Sequence, residues 1–236
     1  MKKYLVLSLL AAACSAHAIE LFNNGSLVNS AGLSVLTAPN TTLGVTSSIP
    51  SNFSLADNFT VGGAGWNVAS IDLFAYQTNA VGFTFTSVNW SIVSGANVNT
   101  GAVVASGSTT VSNGGFVGYR VSSTALTGTT RAIYRINADI PDLSLAAGSY
   151  WLTWALAGTA VSGPFVPPVS TGAGNAQQSS TGPGGFAAVL DVGSSATLEM
   201  PFAINGSVVV VPEPATGALF ALGALAVFGA QRRRKV

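Results

Sequence analysis

Side chains capable of catalysis are few in this chain of 236 residues, and their positions exclude most reaction types. The single Cys and the single His, Cys14 and His17, both lie within the first 18 residues. If that stretch is removed, no Cys–His or Ser–His–Asp nucleophile system can form, and no zinc, copper or haem site built on His or Cys. Carboxylates remain, and between residues 19 and 211 they are Glu20, Asp57, Asp72, Asp139, Asp142, Asp191 and Glu199.

Carboxylates support two kinds of site, and the sequence nominates neither strongly. A pair can hydrolyse glycosides, but no spacing among the seven selects a pair, so no catalytic residue is assigned. Asp139 and Asp142, on either side of Pro141, could contribute to a calcium site together with backbone carbonyls. The competing interpretation is that they cap a turn through hydrogen bonds to nearby backbone N–H groups. No cofactor is predicted.

The C-terminal tail has three parts. Pro212, Glu213 and Pro214 precede an apolar run over residues 215–230, and the basic cluster Arg232, Arg233, Arg234 and Lys235 follows. As a helix, this uncharged run would be about 24 Å long, near the lower limit for crossing a bilayer core. The cations should remain cytoplasmic, which leaves the upstream chain outside. Since proline cannot continue a helix, Glu213 is expected in extended chain at the outer boundary.

This order of parts resembles the PEP-CTERM sorting signal of exported bacterial surface proteins. The resemblance implies that a membrane-embedded exosortase recognises Pro212, Glu213 and Pro214. It also implies transient anchoring in the inner membrane with a cytoplasmic C-terminus, followed by transfer to the cell surface or the extracellular polymer. The competing interpretation is an ordinary tail anchor whose prolines only end the helix.

The N-terminus has the features of a Sec-type signal peptide. Two lysines precede an apolar stretch, and Ala16 and Ala18 supply the small residues that signal peptidase reads. Cleavage would start the mature chain at Ile19. Acylation of Cys14 is the competing interpretation. The partners implied by the two ends are therefore the Sec and signal peptidase machinery, exosortase and the inner membrane.

Charge excludes one class of partner for the body of the chain. The formal charge of the whole chain is +1, but three Arg and seven acidic residues between 19 and 211 give −4. Nucleic-acid binding requires a basic surface, so no nucleic-acid partner is expected. Few charges with abundant Ser, Thr, Asn and Gly are typical of an extracellular β protein.

Alternation of apolar and polar residues predicts strands throughout the body. Three apolar faces are clear: residues 150, 152, 154 and 156; residues 132, 134, 136 and 138; and residues 198, 200, 202 and 204. Between residues 83 and 93 the alternation changes phase, which a β-bulge near Ser87 would explain. Many short strands separated by Gly and Asn predict an all-β fold, a single antiparallel β-sandwich or jelly-roll domain.

Four segments follow from these patterns. Residues 1–18 are the signal peptide, and residues 19–50 are irregular chain with at most one edge strand. Residues 51–207 form the β-sandwich domain. Residues 208–236 are the sorting tail, with its motif at 212–214 and its one transmembrane helix at 215–230.

A second resemblance concerns the body. Residues 54–61, Trp66, and residues 71–76, 145–152 and 198–206 are similar to core strands of extracellular β-sandwich domains that often carry this sorting tail. The resemblance implies a scaffold and brings no catalytic residues.

Tryptophans are the remaining candidates for ligand binding. Trp90 and Trp154 are in phase with core residues, whereas Trp151 falls on the opposite face and could stack on a sugar ring. Core packing is the competing interpretation. Together these observations predict a non-enzymatic protein of the cell surface or extracellular matrix. A carbohydrate-binding module of the extracellular polysaccharide is the alternative, and a secreted glycosidase is the more distant one.

Overall fold

The computed structural model describes residues 18–169 and 174–209, and within them the regular secondary structure is entirely β. In chain order the strands are β1 (Ile19–Asn23), β2 (Leu33–Leu36), β3 (Val45–Thr46), β4 (Ser54–Val61), β5 (Trp66–Ala75), β6 (Phe85–Ser94), β7 (Ala102–Thr110), β8 (Ser112–Ser122), β9 (Ala132–Leu145), β10 (Gly148–Gly158), β11 (Phe165–Val166), β12 (Gln177–Ser179), β13 (Ala187–Ala188) and β14 (Phe202–Val208). The all-β prediction is confirmed.

The strands form two six-stranded sheets and one small sheet. The first sheet has the order β1-β14-β5-β9-β8-β2, and the second has the order β13-β12-β4-β10-β6-β7. Strands β3 and β11 pair separately. The pairing is antiparallel except between β2 and β8, which run parallel. The prediction of a wholly antiparallel domain is therefore wrong at this one edge.

One hydrophobic core takes side chains from both large sheets. Leu55, Leu152 and Trp154 enter it from the second sheet, and Ile136 and Phe202 from the first, all at 1% exposure or less. Each large apolar side chain withdrawn from water in this way stabilises the fold by about 2 kcal/mol. Rings reinforce the contact between the sheets, since the Phe202 ring lies 5.9 Å from that of Trp154.

Smaller apolar clusters separate from this core also bury residues of both sheets. Leu27, Phe74, Tyr76 and Ile133 form one cluster, with residues of the first sheet. Ala56, Val93, Val98, Trp151 and Phe186 form another, with residues of the second sheet. This explains why β10 is buried at seven consecutive positions, 150–156. A strand covered on both faces shows a continuous apolar run rather than alternation.

The register of β6 contains the predicted bulge. Ala157 pairs with Ser87, but the next residue, Gly158, pairs with Phe85, so Thr86 is the extra residue. Phe85 before the bulge and Val88 after it are both buried. The change of phase in the sequence is thus a real shift of one residue.

The prediction of irregular chain over residues 19–50 is wrong, because β1, β2 and β3 lie there. β1 and β2 form the two edges of the first sheet. Gly118 on β8 allows the chain just before β2 to come close. A Cβ on this glycine would lie 2.1 Å from the carbonyl oxygen of Gly32. The segment therefore belongs to the same folded unit as residues 51–207.

Candidate functional site

The two ends of the described domain lie side by side on one edge of the first sheet. β1 pairs with β14, and Ile19 is the partner of Gly206. Partners in an antiparallel pair have Cα atoms about 5 Å apart. The predicted signal peptidase site, after Ala18, therefore lies next to the strand from which the sorting tail continues.

β14 is held firmly where the tail begins. Phe202 and Ile204 are fully buried, and β14 lies between β1 and β5. Exposure rises to 51% at Val208. The N–H of Val209 then donates to the carbonyl oxygen of Gly65 at 2.9 Å, which fixes the chain one residue beyond the strand.

The corner that receives Val209 requires glycine. Gly65 has a φ of +110°, and a Cβ there would lie 2.4 Å from the carbonyl oxygen of Leu145. Glycine adopts this conformation without strain, and no other residue would leave this space. The connection between β4 and β5 is thereby packed against the end of β9, beside the exit of the tail.

The residues of the sorting motif, its apolar run and its basic cluster lie outside the described residues, as does Ala16. Among residues 18–169 and 174–209, no helix is long and apolar enough to cross a membrane.

Asp57 is the most perturbed carboxyl group in the interior. It lies on β4 with no exposed surface, and Oδ2 accepts hydrogen bonds from the N–H of Met200 at 2.8 Å and from Asn24 at 3.2 Å. Burial raises the pKa of Asp57 to about 7, against the hydrogen bond from Met200, and the nearby Glu199 charge acts with burial. A carboxyl group so enclosed cannot touch a substrate, and here it joins β4 to the chain before β14.

Asp191 lies in a ring of donors. Its oxygens accept hydrogen bonds from the backbone N–H groups of Thr41, Thr42, Gly193 and Ser194, at 2.8–3.1 Å. Burial alone would raise the pKa of Asp191, but the N–H donors of Ser194, Thr42 and Thr41 outweigh it and hold this pKa well below the usual range. The carboxylate thus ties two loops together.

Arg120 binds the same N-terminal segment from the other side. The side chain is 3% exposed and donates to the carbonyl oxygens of Leu43 and Thr42 and to the Ser34 hydroxyl, at 2.8, 2.9 and 3.0 Å. Burial lowers the pKa of Arg120 to about 10, and the nearby Tyr76 opposes this. Arg120 and Asp191 also line a depression of about 170 Å³. Ligand pockets are usually larger, about 300 Å³ or more.

Of the two interpretations of Trp151, the structure agrees with core packing and not with an exposed ring. This side chain is only 4% exposed because Val98 and Phe186 pack with it. Trp66, Trp90 and Trp154 are exposed by 8, 6 and 1%. All four tryptophan side chains are therefore largely covered by other parts of the protein. The ring that the structure does expose is that of Phe116, at 53%, with Tyr119 edge-on at 4.9 Å.

Asp139 and Asp142 are exposed residues of β9 rather than members of a turn. Val68 pairs with Leu143 and Ser70 with Asp139, so three residues, Pro141 among them, bulge opposite a single residue. Such a position tolerates proline, because the N–H that proline lacks would not take part in a hydrogen bond between the strands. Within residues 18–169 and 174–209, no three acidic, His or Cys side chains come together as metal ligands would.

Sequence reasoning missed the buried ionisable groups Asp57, Arg120 and Asp191, although Asp57 left a signal in the sequence. In β4, Asp57 shares the parity of Leu55, Phe59 and Val61, which all face the core. A carboxylate at a core position of an alternating strand indicates a buried, hydrogen-bonded group. Arg120 left no such signal, because its partners lie 77–86 positions away. Asp191 left none either, because two of its donors, Thr41 and Thr42, lie about 150 positions away.

Comparison with known families identifies the tail. A family model of the PEP-CTERM protein-sorting motif matches residues 210–234. That range begins one residue after Val209 and includes the proline-flanked glutamate, the apolar run and most of the basic cluster. No curated protein matches the chain.

Proposed function

Because residues 210–234 carry a PEP-CTERM sorting motif, which marks an exported substrate of exosortase, we propose that this protein is a non-enzymatic component of the cell surface or extracellular matrix. The observation that carries the proposal is the position of the motif. It starts directly after β14, so the folded domain ends where the signal begins. Removal of the tail would leave every described strand intact.

The tail acts first as an anchor in this proposal. Residues 215–230 span the inner membrane as a short helix, and Arg232, Arg233, Arg234 and Lys235 hold its end in the cytoplasm. Glu213, between two prolines, then lies at the outer boundary where exosortase reads it. The hydrogen bond from Val209 to Gly65 supports this arrangement, because it leaves only a short tether between the domain and the membrane.

The N-terminal signal is attached at the same edge of the domain as the sorting tail in this proposal. Cleavage after Ala18 would free Ile19, which is the first residue of β1 and the partner of Gly206. A new terminus at this position begins a strand without leaving an overhang. Because β1 and β14 are neighbours, the domain can fold while either signal, or both, is still in the membrane.

The body serves as a scaffold in this proposal, with its two sheets forming a β-sandwich over a shared core. The buried ionisable groups support a structural role, since Asp57, Arg120 and Asp191 all bind backbone groups of distant segments. The four tryptophans are exposed by 8% or less, which supports the scaffold over the polysaccharide-binding alternative. The scaffold is therefore the function that we favour.

The sorting role is tested by substituting the motif's carboxylate. We expect Glu213→Gln to accumulate in the inner-membrane fraction with its tail uncut, because the group that exosortase would read is lost. Glu20→Gln is the matched control, since Glu20 is an exposed carboxylate on β1 at the same edge. Processing of Glu213→Gln at the rate of the control would show that the glutamate is not part of the signal.

A further inference from the structure

The open edges of the two large sheets differ in length and in protection. β1, β2 and β13 form three of the edges, with five, four and two residues, and β7 forms the fourth with nine. The β1 edge also has a register shift between Glu20 and Phe22. β7 is thus the long edge among the described strands.

β7 lacks most of the features by which proteins protect an exposed edge. Its sequence, AVVASGSTT, contains no charge and no proline. Charged side chains, proline and short length normally prevent an edge from pairing with another strand. Val103 and Val104, near its start, are 64% and 43% exposed. Every second residue of an edge strand directs its N–H and C=O away from the sheet, where they can pair.

The geometry limits pairing to the middle of the strand. Val93 pairs with Val103 and Ile92 with Ala105, so Val104 is an extra residue that disturbs the first part of β7. At the other end, the Thr109 hydroxyl donates to the carbonyl oxygen of Asp139 on β9. Residues 105–108 lie between these features.

Gly107 makes this middle part flat. The Trp90 side chain lies under it, and a Cβ on Gly107 would be 3.1 Å from the Trp90 ring. Ser106 and Ser108, on either side, are exposed and small. A second strand could therefore approach residues 105–108 without meeting a bulky side chain.

We propose that β7 pairs antiparallel with β7 of a second copy of this chain, joining two second sheets across a two-fold axis near Gly107. A two-fold antiparallel pair matches each donor of one strand with an acceptor of the other. The absence of charge on β7 means that two copies meet no like-charge repulsion. Pairing of β7 with itself also needs only one kind of edge, because the same residues serve both partners of a two-fold pair.

Cross-linking of the full chain in its own host tests the pairing. Ser106→Cys and Ser108→Cys are each introduced together with Cys14→Ala, and cells are treated with a short thiol-reactive cross-linker. Asn89→Cys is the matched control, because Asn89 is exposed and pairs with Ser108 from β6, one strand in from the edge. We expect cross-linked dimer from the two β7 variants, about fivefold or more above the control, since a partner on β7 brings its residues closest.

A charge variant provides an independent measurement. Ser108→Lys would place like charges close together across the two-fold axis, and we expect it to lower the dimer fraction in sedimentation of the exported protein by about fivefold. Dimer yields equal to that of Asn89→Cys, or cross-links to a different protein, would overturn the proposal. So would an unchanged dimer fraction in Ser108→Lys.

Discussion

At the scale of single residues, two buried aspartates show how environment decides the charge of a carboxyl group. Asp57 has three hydrogen-bond donors, yet its burial in the core raises its pKa to about 7. Asp191 is also buried, but it accepts hydrogen bonds from N–H groups of two loops. These hydrogen bonds hold the pKa of Asp191 well below the usual range. Burial dominates in the first case and hydrogen bonding in the second.

The raised pKa of Asp57 predicts that the folded chain loses stability as the pH rises. Because the folded-state pKa of about 7 exceeds the ordinary value of 3.8, the folded chain binds this proton more tightly than the unfolded chain does. The contribution is complete below about pH 4 and is lost as the pH rises to about 7. From pH 5 to pH 8 we expect a loss of about 2 kcal/mol in the free energy of unfolding.

Urea unfolding of the mature chain at both pH values measures this loss. Asp57→Asn should remove most of the pH dependence, and Asp142→Asn, at an exposed position of β9, is the control for loss of a carboxylate. Asp191 does not contribute over this interval, since its lowered pKa affects stability only below about pH 4. Equal pH dependence in the parent and in Asp57→Asn would contradict the buried neutral state.

At the scale of elements, sequence patterns predicted the strands with regular alternation and missed those without it. The apolar face of β10 and the bulge before Val88 were both visible, because a core strand shows its period and a bulge shifts it. β2 was missed because its four residues are held by pairing with a parallel strand, β8, that is distant in sequence. No local sequence pattern indicates pairing between segments so far apart. The distant donors to Asp191 were missed for the same reason.

The burial of Trp151 shows the same limit from another direction. Alternation correctly placed this residue opposite Leu152, but alternation describes a strand and not what covers it. Val98 and Phe186 reach Trp151 from loops that are distant in sequence. The sorting motif could be predicted because its information is entirely local, and the family model matches it at residues 210–234.

The corner at Gly65 provides a prediction at this scale. Gly65→Ala would place a Cβ 2.4 Å from the Leu145 carbonyl oxygen, in a backbone conformation that alanine rarely adopts. We expect it to lower the free energy of unfolding by about 2–4 kcal/mol. Gly63→Ala is the matched control, with a φ of +63° and no atom within 4 Å of its Cβ. It should cost about 1 kcal/mol.

Thermal or urea unfolding of the two variants gives the comparison. If both substitutions cost the same, the close packing between this corner and the end of β9 does not contribute to stability. The corner at Gly65, to which Val209 is hydrogen-bonded, would then hold the start of the tail less firmly than the geometry indicates.

At the scale of the whole molecule, the described domain begins and ends on two paired strands, β1 and β14, at one edge of the first sheet. β1 begins at the predicted mature N-terminus, and β14 ends two residues before the sorting motif. The low content of charged residues, 7% of the chain, is compatible with the export that the sorting motif indicates. The account therefore depends above all on processing at both ends.

The most direct test is the intact mass, with terminal peptides, of the protein recovered from each fraction of its native host. We predict a chain outside the cell that begins at Ile19 and ends near Pro212, because β1 and β14 must be retained while both signals are removed. A chain that keeps Arg232, Arg233, Arg234 and Lys235 and remains in the inner membrane would contradict the account and show a plain tail-anchored protein.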